Sequence, residues 1–433
     1  MREMKDSGIA WIGKIPHCWN TSKLKYLGQY INGYAFKPEE WGSKGVPIIR
    51  IQDLTGSNDN PNYFEGQIDK KYWVENGDIL ISWAATLDAF IWNKGNGWLN
   101  QHIFKAVPNR RIINYDFFFW MIKESMKNMN NDNKHGIFMQ HVTLSVFNNF
   151  TIPMPPLAEQ ERIAAFLDAE CAEIDAVLEK TRASIEEYKK LKQAVITQAV
   201  TKGIRGDRPM KDSGIEWIGD IPAEWSVVKG RRLILATQNG LTRRDLEKSE
   251  GFIVLKLKNL DADGNIDYSE VNRVALTDEE KSKYQLCDGD FLFVRVNGSR
   301  NLVGKCAIYH DVGEIVAYND HIIRVKLNDL CLKEYFHYYL LSIAGKREIE
   351  LHTSTAAGQF TISGDGLREL RVVLPGIVEQ AETVAYLDKK SAGIDALIAK
   401  KQQYLTEIEN YKKSLIYEYV TGKKEVKTSV LAD

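Results

Sequence analysis

MKDSGIAWIGKIPHCW, residues 4–19, recurs as MKDSGIEWIGDIPAEW, residues 210–225, with 12 of 16 positions identical at an offset of 206. Self-similarity of this kind marks a chain built from repeated structural units. A second pair follows: PPLAEQERIAAFLD at 155–168 matches PGIVEQAETVAYLD at 375–388, at an offset of 220. The chain is thus two half-repeats in tandem. Each consists of a Trp-Ile-Gly-x-Ile-Pro segment, a block of about 130 to 150 residues with little similarity to its counterpart, and a Pro-led helix.

Residues 158–201 contain neither Pro nor Gly and are rich in Ala, Glu, Lys, Leu and Ile, mostly strong helix formers. Ala164, Leu167, Cys171, Ile174, Leu178, Ile185, Tyr188, Val195 and Ala199 fall three and four apart, interrupted by Thr181 and Lys192, which is a heptad seam. Val384, Leu387, Ser391, Ile394, Ile398, Leu405, Ile408, Leu415 and Tyr419 repeat the phase in 378–421, where Gly393 is the one Gly. Forty-four residues at about 1.5 Å each predict rods of roughly 65 Å. Independent dimerisation arms are one reading. Two matched seams separated by a folded block point instead to antiparallel pairing within the chain.

Between the helices, 46–53, 78–83, 252–257, 290–296 and 321–327 are short, β-branched or aromatic, and bounded by Gly, Asp or Asn, so they read as strands. Residues 115–127 and 332–342 have helical periodicity, with Phe117, Phe118, Trp120, Tyr335, Phe336 and Tyr339 expected in the core. The fold class is α+β, with two mixed α/β blocks separated by two long helices.

A length of 433 residues suggests two to four domains, and 44% hydrophobic with 27% charged residues excludes a disordered or collagen-like chain. Cys18, Cys171, Cys287, Cys306 and Cys331 form no C-x-x-C pair, which disfavours a disulfide framework and a zinc site and fits a reducing, cytoplasmic setting. With no run of about 18 apolar residues, neither a signal peptide nor a membrane span is expected.

The charge balance of 57 basic against 58 acidic residues gives no general polyanion-binding excess. By segment the net charge is +3 for 1–155, −1 for 156–209, −3 for 210–374 and 0 for 375–433, so any nucleic-acid site must be local. Neither a phosphate loop, nor an Asp/Asn-Pro-Pro-aromatic loop, nor H-E-x-x-H spacing occurs. The sequence therefore reads as a binder rather than a catalyst. Arg, Asn and Gln are the residues that pair with base edges. In the second block the candidates are Arg243, Arg244, Lys256, Lys258 and Asn259, then Arg295, Asn297, Ser299, Arg300, Asn301 and Lys305 around a Gly-bearing loop. In the first they are Arg50 and Gln52 at a strand end, Lys94, Asn96, Gln101 and His102, and Lys134, His135 and Gln140. Ordinary solvated turns are the alternative reading for each cluster.

The chain resembles the specificity subunit of type I restriction–modification systems. The resemblance rests on K-D-S-G-I-x-W-I-G-x-I-P-x-x-W, on Val46-Pro47-Ile48-Ile49-Arg50-Ile51, on Gly77-Asp78-Ile79-Leu80 with Gly289-Asp290-Phe291-Leu292, and on Ile152-Pro153-Met154-Pro155-Pro156-Leu157-Ala158-Glu159-Gln160. It covers essentially the whole chain. Locally the second copy departs, with Gly376 and Ile377 in place of Pro156 and Leu157, and Val372-Val373-Leu374-Pro375 before them. The resemblance implies a target-recognition domain at 1–155, a conserved helix at 156–205, a second recognition domain at 206–375, a second helix at 376–423 and a tail at 424–433. It implies a pseudo-two-fold pair of half-repeats in which an antiparallel intramolecular coiled coil separates two readers of a split, asymmetric site in double-stranded DNA. The helix length would set the gap between half-sites, about 34 Å for one turn of DNA.

Members of that family are not enzymes alone. By resemblance, two modification subunits methylate adenine with S-adenosylmethionine, and, where present, two restriction subunits use ATP and Mg2+; no cofactor is expected on this chain, and no membrane. The competing readings are a self-contained DNA methyltransferase or nuclease with an unrecognised site, and a coiled-coil protein scaffold. If the halves are related by a two-fold axis, residues 4–19 should lie beside residues 415–425, as 210–225 follow the first helix.

Overall fold

The computed structural model describes residues 2–58, 60–131, 142–243, 250–261, 264–356 and 358–427. The chain divides into two compact units, 1–181 with 403–433, and 182–402. Each unit therefore holds part of both long helices.

In the first unit the elements used below are β1 (Gly28–Asn32), β2 (Val46–Ile49), α1 (Ile51–Thr55), β3 (Ile79–Ser82), β4 (Asp88–Ile91), β5 (Gly97–Leu99), β6 (Ile103–Pro108), α2 (Tyr115–Asn131) and the start of α3 (Leu157–Lys202). In the second they are β7 (Ile234–Asn239), β8 (Phe252–Leu255), β9 (Phe291–Val294), β10 (Cys306–Ile308), β11 (Val316–Tyr318), β12 (Ile322–Leu327), α4 (Lys333–Leu341), α5 (Ile343–Leu351) and the start of α6 (Ile377–Val420). The long helices start and stop within a residue of their periodic patterns. Of the strands, 46–53 and 252–257 are shorter than expected, ending at Ile49 and Leu255. Strand 46–53 ends at Ile49 because the Asp53 carboxylate accepts the Arg50 backbone N–H at 2.7 Å, which caps the start of α1.

Although the blocks share little sequence, they share one build. An antiparallel sheet runs β1-β6-β3-β4 in the first unit and β7-β12-β9-β10 in the second. A second sheet contains a parallel pair, β2 with β5 and β8 with β11. β3 and β9 are buried along their whole length, as expected of central strands covered on both faces. The helical aromatics form the cover: Phe117, Phe118, Tyr335, Phe336 and Tyr339 are fully buried, with Trp120 nearly so. The repeated Gly-Asp pairs set the turn into these strands. Gly77 and Gly289 take positive φ, and the following carboxylate accepts a backbone N–H, from Glu75 to Asp78 at 2.8 Å and from Cys287 to Asp290 at 2.9 Å. Lys105 joins Asp78 at 2.6 Å. Asp290 has Arg324 and Lys326 no nearer than 4.0 Å, and burial pushes its carboxyl above the ordinary range.

Within each unit the helix segments run antiparallel. In the first, Phe166 packs on Tyr419 with ring centroids 4.5 Å apart, and Lys412 binds Asp175 at 2.6 Å. In the second, Lys192 binds Asp395 at 2.6 Å and Lys401 lies over the Tyr188 ring at 5.8 Å. Leu167 and Leu387, equivalent seam positions, are fully buried. Lys192, the charged interruption of the seam, snorkels to an ion pair rather than breaking it.

The repeated Trp-Ile-Gly-x-Ile-Pro segments lie where the two-fold argument puts them. In the second unit Lys202, at the end of α3, donates to the carbonyls of Ile218 and Asp220. In the first unit Lys423, just past α6, donates to Ile12 and Lys14 at 2.8 and 2.6 Å, and the Tyr417 hydroxyl donates to the Trp11 carbonyl at 3.3 Å. Residues 11–14 thus meet residues 417–423, so the first unit closes non-covalently as the second closes through continuous backbone.

Candidate nucleic-acid interface

In each unit, corresponding strands meet at a corner. In the first unit the backbone N–H of Tyr34 donates to Leu99, that of Asn100 to Ile49, that of Ile103 to Asn100, and that of Trp83 to His102. In the second, Leu241 donates to Tyr318, Asn319 to Leu255, Ile322 to Asn319 and Arg295 to His321. The same four bonds are made by the same four positions. The corner therefore aligns Asn100-Gln101-His102-Ile103 with Asn319-Asp320-His321-Ile322, Arg50 with Lys256, and Trp83 with Arg295. Gly33 and Gly240 permit it: a Cβ on either would lie 2.0 or 2.3 Å from the carbonyl oxygen of Asn100 or Asn319.

Side chains of the first corner gather the sequence candidates. Arg50, Gln52 and His102 line one cleft of about 300 Å³ together with Asn100. The Arg50 guanidinium lies 4.9 Å from the centre of the Trp41 ring, a cation–π contact that aims it. Lys94 reaches the same corner by donating to the Asp53 carbonyl at 2.6 Å. The Gln101 amide lies 3.4 Å from the His102 ring, and the Trp83 ring packs 5.5 Å from that ring while its N–H donates to the Asn32 side chain at 3.2 Å. Asn96 is exposed in the turn before β5. Lys134, His135 and Gln140 lie outside the described residues.

The second-block candidates divide. Lys256 and Arg295 sit at the corner, where the Arg295 guanidinium donates to the Asp320 carbonyl at 3.0 Å. Arg300, Asn301 and Lys305 line a separate cleft of about 400 Å³ against α5, with Arg300 donating to the Glu350 carbonyl at 3.4 Å. Asn297 accepts the Ser299 N–H at 2.9 Å and shapes the loop leading there. Arg243 is engaged by the Ala275 carbonyl at 2.9 Å and by Glu280 at 3.3 Å. Lys258 pairs with Glu270 at 3.0 Å. Arg244 lies outside the described residues.

Asn259 is corrected by the structure. It is 2% exposed; its amide donates to the Asp267 and Glu270 carbonyls and its oxygen accepts the Lys256 N–H. Every group that could read a base is spent on the turn, as buried amides must be.

His321 was missed in the sequence reading, as were Asn100 and Asn319. The signal was available: Asn-x-His-Ile occurs at 100–103 and 319–322, and Asn-Gly at 32–33 and 239–240. Motifs this short gain meaning only once the strands bring them together.

The family model described as "Type I restriction modification DNA specificity domain" matches residues 16–187 and 246–407. The chain is 24% identical to the type I restriction enzyme EcoKI specificity subunit of Escherichia coli (strain K12), over 95% of this chain and 90% of that one. It is 27% identical to the MjaVIII specificity subunit of Methanocaldococcus jannaschii, over 96% and 95%. A solved chain from a study of complex assembly and conformational transition of the type I R-M system shares the fold with a TM-score of 0.69 at 16% identity, over 95% of this chain and 99% of that chain. The family match spans most of the chain and falls once on each half-repeat, so the chain belongs to the type I restriction–modification DNA specificity domain family.

Proposed function

We propose that this chain is the DNA-reading subunit of a type I restriction–modification assembly, each unit taking one half of a bipartite, asymmetric site in double-stranded DNA. The observation that carries this reading is the pair of corners with one backbone and different side chains: Arg50, Gln101 and Trp83 in one, Lys256, Asp320 and Arg295 in the other. One scaffold with two side-chain sets suits two different half-sites. The helices, 46 and 44 residues long, set the gap between half-sites and carry two modification subunits on their duplicated surfaces. S-adenosylmethionine belongs to those partners, ATP and Mg2+ to restriction subunits where they occur, and this cytoplasmic chain holds no cofactor of its own.

Methylome sequencing of cells expressing the chain with its cognate modification subunit tests the proposal. A split motif with unlike halves and a fixed gap is expected; a palindromic or ungapped motif would refute it. Methyl transfer to DNA by the purified chain alone would refute the division of labour.

A further inference from the structure

The two corners contain a common part and a variable part. Common are Asn100 and Asn319, buried in the turn, and His102 and His321, exposed two residues later and leading into the matched strands β6 and β12. Variable is the residue whose backbone N–H donates to that histidine's carbonyl: Trp83 at 3.4 Å in one unit, Arg295 at 2.8 Å in the other. A group repeated in two readers cannot account for a difference between their targets. A phosphate, by contrast, offers the same oxygens at every nucleotide, and contacts to it set register without carrying sequence. An imidazole N–H is a donor suited to that role. An arginine can grip a guanine edge with two parallel hydrogen bonds, whereas an indole has one N–H, and that of Trp83 is already given to Asn32 at 3.2 Å.

We propose that His102 and His321 are matched anchors for the DNA backbone, and that at the adjoining position Arg295 selects a base in its reader, whereas Trp83, its N–H spent on Asn32, does not. This rests on the DNA-reading function proposed above. It goes further in assigning the two kinds of contact to particular residues, including His321.

The test is selection from a random-sequence DNA duplex library on the full chain, followed by affinity measurements on the selected duplex and on a scrambled one. His102→Ala and His321→Ala are expected to weaken both duplexes alike, by about tenfold each for a hydrogen bond to a charged group, and to select the same bases as the parent chain. His102→Asn and His321→Asn, which keep a donor, should recover part of the loss. Arg295→Gln is expected to relax selection at one base of one half-site and leave the other half-site intact. Equal thermal midpoints for all variants establish that folding is not the cause. Altered bases selected by the histidine variants would overturn the assignment, as would unchanged affinity for both duplexes. If the parent chain selects no split motif, the DNA-reading function itself fails and this inference with it; a split motif combined with indifferent histidines overturns the inference alone.

Discussion

The indole N–H of Trp225 donates to the carboxylate of Glu379 at 2.7 Å, and that of Trp19 donates to Glu159 at 2.9 Å. Both indoles are fully buried, and both carboxylates carry a second partner from the same repeat, Arg208 and Arg2, each at 2.5 Å. The duplicated motif is thus a clamp. It ties each repeat segment to the first turn of the long helix that its own block leads into, where a carboxylate also favours the helix dipole.

Trp225→Phe removes the donor and shrinks a fully buried ring, so it should cost at least about 1.5 to 3 kcal/mol, the range for a hydrogen bond to a charged group alone. Trp19→Phe should cost about the same. Urea unfolding checks both; a loss at one site only would show that the clamps are not equivalent.

Because residues 415–427 close the first unit, removing them should loosen that unit selectively. Leu415, Ile416 and Val420 belong to its core, and Lys423 holds two carbonyls of the repeat segment. Hydrogen exchange on a chain ending at residue 414 is expected to show faster exchange in β1, β3 and β6, with β7, β9 and β12 still protected.

Along the helices, burial should outweigh charge. Leu387→Ala is expected to cost about 2 to 5 kcal/mol. Lys192→Ala, which breaks the half-exposed pair with Asp395, should cost no more than about 1 kcal/mol. A larger loss from Lys192→Ala in thermal unfolding would mean that the seam depends on its ion pairs.

Burial lowers the His337 imidazole to about 4, while an unfolded histidine titrates near 6.5. Between those values the unfolded chain binds the extra proton, so stability falls as pH drops through this window, by up to about 3 kcal/mol. His337→Gln should remove that part of the slope. Urea midpoints at pH 7 and pH 5 for both chains decide it; equal slopes would refute the assignment.

Gly33→Ala and Gly240→Ala each force a methyl group onto a carbonyl oxygen of the corner. Each is expected to abolish selection at its own half-site in the methylome assay while the other half-site is still read. Loss of both half-sites would argue for global unfolding, which circular dichroism would report.

Sequence alone determined what is local or repeated. The long helices were legible because a helical period and the scarcity of Pro and Gly are properties of neighbouring residues, and the duplication because 12 identities at one offset need no coordinates. Burial of Phe117, Tyr335 and the other helical aromatics followed from the same periodicity.

Only the tertiary structure decided which residues form the corner. Gly33, Ile49, Trp83 and Asn100 are separated in the chain and joined by strand pairing, which no local pattern records. The same pairing revealed that two blocks with little common sequence are one fold, since backbone hydrogen bonds fix the sheet while exposed side chains are free to differ. It removed Asn259 from the candidates, because a buried amide must satisfy its own hydrogen bonds. It also showed that Lys202 and Lys423, which sit one residue out of step in the repeat, reach the same pair of carbonyls, a long flexible side chain absorbing the shift.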